Sequence, residues 1–273
     1  MHPLLRAVIA PETMLGSFVV LFVGGIVFYL VTSGSSYFYY FVLRKQRFFP
    51  NETPDPVQMR KERRWAVYSL FGNAVFTAPI HHFILQGKSQ VYFDFGAHST
   101  GWFFITIALM VVITETLVFW AHWALHHPFL YKHIHLHHHQ FRKTTPWASV
   151  AFHPLDSFAQ AAPHHLCAFL FPVHIGVYAA SVTFVTLWSV FIHERVTFSF
   201  VRFGLINNTM HHTAHHKFNK WNYGQWLTIW DRIMGTHKDP IGLVEDGYDR
   251  VPVAVASGGM ASASANDALA SGD

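Results

Sequence analysis

The chain is short of charge and nearly devoid of cysteine. Only 12% of its 273 residues are Asp, Glu, Lys or Arg, against roughly 25% in an ordinary soluble domain. A chain of this length could build one large core, but it lacks the polar residues to cover that core in water. The single cysteine, Cys167, excludes an intramolecular disulfide framework and any Cys-rich metal site, and its ordinary role is that of a small buried apolar residue. The net charge of +4 and the pI of 9.2 would suit nucleic acid. However, the basic residues stand in short clusters beside apolar runs, which fits membrane orientation and anionic headgroups better. Nucleic acid is not an expected partner. No cleavable signal is evident, because the first apolar run is long and has no small-residue cleavage site.

What the chain has in abundance is hydrocarbon. Hydrophobic residues make up 51% of it, and Phe alone occurs 27 times. They gather in long runs, the mark of membrane spans. A first span is expected over about 15–31, continuing as an aromatic-rich helix to Tyr40, a second over 65–85 and a third over 102–121, where Glu115 is the only charge. Residues 158–193 are again apolar, interrupted by Pro163 and Pro172, and fit either two spans or a re-entrant hairpin. The loop between the first two spans carries seven Lys and Arg, from Arg44 to Arg64, and the next loop only Lys88. The positive-inside rule therefore puts the end of the third span in the cytoplasm. The expected fold is an all-α integral membrane protein with about four to five membrane helices and a cytoplasmic, His-rich helical cap. Its parts are the N-terminal membrane helices (1–114), a catalytic region (115–240) and a disordered tail (241–273) rich in Ala, Ser and Gly.

The chain has 22 histidines, and their spacing carries the chemistry. His122 and His126 form H-x-x-x-H at the end of the third span. His135, His138 and His139 form H-x-x-H-H, and His212, His215 and His216 repeat it. Residues three and four apart share a helix face, so each box is expected to present its imidazoles on one stripe. Eight imidazoles exceed what one tetrahedral or octahedral metal takes. Two metals with about four ligands each, and open positions for oxygen or water, fit the count. His153 and His193 are possible additional ligands. Imidazole suits zinc, copper and iron alike, so these ligands do not select the metal. His127, His133, His137 and His211 stand beside box positions and are expected outside the ligand set. Lone histidines such as His81, His82, His98 and His174 are expected to be polar helix-end residues.

Three carboxylates could orient a ligand by accepting from its second nitrogen: Glu115, about two turns before His122, Asp156, and Glu194. Asp231 is expected to pair with Arg232 or another basic residue. A zinc hydrolase of the H-E-x-x-H kind is disfavoured, because His193-Glu194 lacks the second histidine. A metal transporter would carry ionisable residues at several span centres, and here those centres are almost wholly apolar.

The order H-x-x-x-H, H-x-x-H-H, H-x-x-H-H on a multi-span chain resembles the membrane fatty acid hydroxylase and sterol desaturase superfamily and, within it, the sterol C5-desaturase (lathosterol oxidase) branch. The segments HHPFLYKHIHLHHH, TTPWASVAFHPLDSFAQ, LWSVFIHE and INNTMHHTAHHKFNKWNYGQWLTIWDRIMGT carry the likeness. Two motifs depart from the branch's pattern. Glu194-Arg195 stands where it has Asp-Gly, and Ala214 replaces an acid in the third box. The resemblance implies that the eight box histidines hold a di-iron centre. It also implies dioxygen as co-substrate, and electrons from a reduced nicotinamide cofactor through a carrier such as cytochrome b5 or a ferredoxin and its reductase. The implied activity is oxidation of a sterol or related lipid, with C5(6)-desaturation as the specific expectation. A hydroxylase of fatty-acyl lipids or carotenoids and a C4-methyl sterol oxidase are the alternatives. An ER membrane and a bacterial inner membrane fit equally.

Overall fold

The computed structural model describes residues 13–198, 204–239 and 253–254, and it is mostly helical. Five long helices stand among the described residues: α1 (Met14–Tyr37, continuing as a π-helix over Phe38–Leu43), α2 (Pro56–Leu85), α3 (Thr100–Leu125), α4 (Pro154–Leu170) and α5 (Ile175–His193). The shorter α6 (Thr209–Phe218) and α7 (Ile229–Ile233) follow. Three helices are long and apolar enough to cross a membrane: Met14–Leu43, Thr100–Leu125 and Ile175–His193. The tail expected over 241–273 lies outside the described residues except for Val253–Ala254, which pairs in parallel with Thr197–Phe198.

Local chemistry sets the helix starts. The side chains of Thr13, Asp55, Ser99, His153 and His174 each accept a backbone N–H from the first turn of the helix they precede, satisfying donors that helix geometry leaves free. Pro56 and Pro154 take first-turn positions, where their missing N–H costs nothing. The apolar stretch from 158 divides at one proline, not two. Pro163 lies inside α4, whereas the residue before Pro172, Phe171, is extended (φ −154°, ψ 156°), as the proline ring demands of its predecessor. The chain then makes a two-residue parallel pairing, Val173–His174 against Val91–Tyr92, and turns back as α5.

The helices pack α1 on α2, with α4 against both α2 and α3. An apolar cluster that includes Ile84, Met110, Cys167 and Val177 closes the end of the bundle away from the histidine boxes. Toward the boxes the contacts become polar. Tyr29 donates to the Trp147 carbonyl at 2.9 Å, Ser33 meets Ser149 at 3.0 Å, and buried Glu62 accepts from the Thr145 hydroxyl at 2.5 Å. Through these bonds α1 and α2 hold the loop that follows the second box. Large apolar side chains such as Val27, Leu30, Phe104, Val112 and Leu187 remain exposed along the three apolar helices, the surface that lipid would cover.

Helices α2 and α4 touch closely at Gly72, where an added Cβ would overlap the ring of Pro154. That contact seats the start of α4, two residues before Asp156. Gly72→Ala is expected to force the two helices apart and lower stability by about 1–3 kcal/mol, the usual cost of overpacking. Unfolding in mixed detergent micelles would measure it.

Candidate metal centre

Three stretches of chain deliver the box histidines to one place. His122 sits in the last turn of α3, and His126 is the cap residue beyond it. The second box begins at the end of a π-helical turn, Tyr131–His135, and finishes on the α-turn Leu136–His139; π-turns are rare and concentrate at functional sites. The third box lies on α6. The Asn208 side chain opens that helix by accepting from Met210 and His211, and the His211 ring closes a capping box. Asn219, in the left-handed conformation (φ 58°), ends it.

The imidazoles form two groups, each with ligand nitrogens within 4.8 Å of one another. The first contains His122, His126, His135, His139 and His215; the second contains His138, His193, His212 and His216. His193, from the end of α5, therefore joins the eight box residues. The boxes are not the units of assembly that a one-stripe reading implies. His135 and His139 of the second box face the first group while His138 faces the second, and the third box divides in the same way. The step from i+3 to i+4 swings a side chain by about 100°, enough to address neighbouring centres from one helical turn.

The outer nitrogens of five of these rings are tied to acceptors. The Nδ1 atoms of His122, His193 and His215 lie 2.7, 2.6 and 2.7 Å from the carbonyls of Tyr223, Ser189 and Trp221. That of His138 lies 3.4 Å from the Ala151 carbonyl. His135 Nδ1 meets the Asp156 carboxylate at 2.6 Å, both side chains fully buried. A carbonyl oxygen only accepts, so each such Nδ1 carries the proton, and the neutral ring keeps a bare lone pair on Nε2. Those lone pairs converge. Nε2 of His193 stands 3.3 Å from that of His138 and 3.0 Å from that of His212. His139 Nε2 stands 3.0 Å from that of His135 and 3.1 Å from that of His215. Between His138 and His193 neither nitrogen has a proton to give. Such an arrangement repels itself unless a cation lies between the rings. Donors about 2.0–2.1 Å from one metal stand about 3.0 Å apart at adjacent octahedral corners, which these separations match. Both groups fit a metal ion.

Electrostatics act in the same direction. Burial, reinforced by neighbouring imidazoles, holds His138, His139, His212, His215 and His216 well below the usual histidine range. The rings are thus neutral at physiological pH, the form that binds metal.

Several residues stand elsewhere than expected. His153 belongs to neither group. It caps α4 by accepting from Leu155 N–H at 3.2 Å, a role its position just before Pro154 favours. Glu115 touches no site histidine, because His122 already has the Tyr223 carbonyl; its Oε1 accepts from Leu227 N–H at 2.9 Å and so fastens the loop after α6. Glu194 accepts from Ser36 at 2.8 Å, facing away from the rings. Burial raises its pKa to about 8. Asp156 alone of the three carboxylates orients a site ring, and Gln160 donates to its other oxygen at 2.7 Å. Among the described residues, Asp231 pairs with no Lys or Arg. It accepts from the backbone N–H groups of Tyr223 and Gly224 at 2.8 and 2.7 Å and from Thr236 at 2.7 Å, shaping the loop whose carbonyls hold His122 and His215. Nothing in the sequence marked Trp221 and Tyr223, since they act through main-chain oxygens. His127 and His133 are exposed, His137 stacks on Trp65 with centroids 4.2 Å apart, and His211 serves the α6 cap. Of the lone histidines, His174 caps α5 as a helix-end residue would.

Two cavities lie side by side at this centre. A small one of about 40 Å³ is bounded by His122, His135, His138, His193 and His212. A larger one of about 350 Å³ lies between α3 and α5 with a mostly apolar lining, from Phe103 and Gly176 at one end to Trp188 and Gln225 at the other. Trp188 and Gln225 line both.

Comparison with known proteins places this architecture. The family model described as fatty acid hydroxylase matches residues 107–236, the stretch that contains every histidine of both groups. Lathosterol oxidase of Rattus norvegicus is 36% identical over 225 residues, covering 80% of this chain and 73% of that protein. Lathosterol oxidase of Homo sapiens is 34% identical, again over 80% of this chain and 73% of its own length. A Delta(7)-sterol 5(6)-desaturase of Schizosaccharomyces pombe is 33% identical over 242 residues, 88% of this chain and 78% of that protein. No solved structure matches. With the likeness running far beyond the boxes, this chain belongs to the fatty acid hydroxylase family, with lathosterol oxidases and sterol 5(6)-desaturases among its relatives.

Proposed function

We propose that this chain is an integral membrane oxidoreductase that holds two iron ions in its two histidine groups and uses dioxygen to desaturate a sterol at C5(6). The observation that carries the reading is the border between the two cavities. Converging imidazole lone pairs bound one and mostly apolar side chains line the other, so a metal-binding pocket borders space for a hydrocarbon across Trp188 and Gln225. The relatives' names supply the sterol and the position.

Bound iron would supply the oxidising power that an unactivated C–H bond demands and that acid–base groups lack. The balance is fixed by chemistry: two hydrogens leave adjacent carbons, two electrons and two protons arrive from a carrier, and dioxygen becomes two waters. The electrons come from a reduced nicotinamide cofactor through a carrier such as cytochrome b5 or a ferredoxin and its reductase. This chain's own residues do the positioning. Carbonyls and Asp156 fix the tautomers of the ligand rings, while the apolar lining excludes water and aligns the lipid. Four to five helices lie in the membrane, with α2 and α4 joining the three apolar helices. The basic residues that follow α1 and stand in the first turns of α2 support a cytoplasmic face for the histidine groups, in an ER or bacterial inner membrane.

Expression in a sterol-defined host lacking C5-desaturase, followed by lipid mass spectrometry, tests the reading: a C5(6) double bond is expected. A product with an added oxygen instead would move the assignment to hydroxylation, and no oxidised lipid at all would refute both. His135→Ala and His212→Ala, one from each group, should each abolish turnover and lower the iron content of the purified protein. Asp156→Asn keeps the shape but removes the charge that holds His135. A 10- to 100-fold loss of metal affinity is expected, as for other residues that orient a ligand, read as metal retained after dialysis against a chelator. Acid should destabilise the metal-free protein. Its buried rings resist protonation, whereas the same rings in the unfolded chain take up protons below about pH 6.5. The rings' contribution is therefore flat above that pH and falls below it. Buried Glu194, with its pKa raised to about 8, acts in the opposite direction. The several buried rings outweigh it, so a lower unfolding midpoint is expected at about pH 5.5 than at pH 7.5.

A further inference from the structure

The larger cavity is mostly apolar, and its polar lining side chains are Thr114, His164, Ser181 and Gln225. Of these, His164 Nδ1 and Gln225 Oε1 are buried without a partner among the described residues, and only Gln225 also lines the small cavity. On α3 the larger cavity runs from Phe103 to Thr114, roughly 16 Å at the α-helical rise. The Thr114 hydroxyl is spent on the Met110 carbonyl at 2.7 Å. Gln225 stands at the opposite end from Phe103, where this cavity borders the small one among the histidines. Its backbone carbonyl accepts from Trp188 Nε1 at 3.0 Å, which fixes the residue at that border. Its side-chain Oε1 is buried and has no partner among the described residues. An unpaired buried amide oxygen is costly, and such groups are retained where a ligand completes them.

We propose that the Gln225 carboxamide is a specificity-determining group that hydrogen-bonds a hydroxyl of the lipid close to the carbon being oxidised. The inference deepens the sterol reading and rests on it. A carboxamide both donates and accepts, as a hydroxyl does, so one pair of groups satisfies both. Its place at the border requires the polar end of the lipid to lie beside the histidines and the hydrocarbon body to extend along α3 and α5 toward Phe103. A sterol meets this requirement, because its 3-hydroxyl stands two carbons from C5. A fatty-acyl chain oxidised far from its headgroup does not, since its polar end would lie away from Gln225, toward His164 and Phe103. Gln225 would thus select both the class of lipid and the end that enters first.

The test compares a 3-hydroxysterol with its 3-deoxy analogue on the iron-loaded enzyme in lipid nanodiscs, reading kcat/KM for each and, separately, Kd by displacement of a fluorescent sterol. Wild type should prefer the hydroxysterol by about 10- to 100-fold, the range for losing one buried hydrogen-bond pair. Gln225→Leu should erase that preference by lowering binding and turnover of the hydroxysterol alone, with iron content unchanged. Should Gln225→Leu lose its iron, Gln225→Met against Gln225→Asn gives the same comparison, and only the amide variant should retain a preference. An undiminished preference without the amide, or an equal loss on both sterols, would overturn the proposal and leave the sterol reading standing. Wild-type protein that neither binds nor oxidises either sterol would remove that reading and this proposal with it.

Discussion

Neutral imidazoles with their lone pairs turned toward each other are the constraint around which the rest of this molecule is arranged. His138 and His193 hold their protons outward, against the carbonyls of Ala151 and Ser189, and face one another with nothing to share. Buried polar groups normally pair; in His122, His135, His138, His193 and His215 the pairing is given to the outer nitrogen and withheld from the inner one. Much of the surrounding structure serves that inversion. The Asp231 carboxylate bends the loop that brings the Tyr223 carbonyl to His122, Glu115 ties the same loop to α3, and Asp156 holds His135 from α4. The N-terminal helices act at one remove, through Tyr29, Ser33 and Glu62 on the segment behind the second box.

The sequence conveyed the ingredients of this site better than its wiring. Apolar runs bounded by basic clusters located the helices, because the need to satisfy every backbone group in lipid leaves few alternatives. Pro172 was legible as a break since it acts on its immediate neighbour. Pro163 misled, since tertiary packing can carry a helix through a proline. The box histidines stood out by spacing, yet their division into two groups did not. That division depends on the angle at which each helical turn meets its neighbours, and the π-turn at Tyr131–His135 alters this angle without leaving a mark in the pattern. His193 was visible only as an isolated residue, its place decided by the length of α5.

Carboxylates were the least legible part. Their positions on a helix face say which direction they point, and nothing about what comes to meet them. Glu115 lies on the face of His122, yet a loop amide more than a hundred residues later reaches it first. Glu194 follows a site histidine directly and still turns to Ser36. His153 was spent on a helix start, where a ring nitrogen can accept from the first turn. Ala214, where the related pattern has an acid, is buried between the third-box histidines. The acid that orients a ring here comes instead from another helix, as Asp156.

The division of each H-x-x-H-H box between the two histidine groups also bears on how such a chain can change over evolutionary time. A substitution at one box position removes one ring and leaves the others where they were. An inserted or deleted residue inside a box rotates everything after it by about 100° and sends rings meant for one group toward the other. The boxes therefore behave as fixed-length words. Such a box tolerates a change of letter between its histidines better than a change of length, so gaps in related sequences should fall in the loops that separate the words.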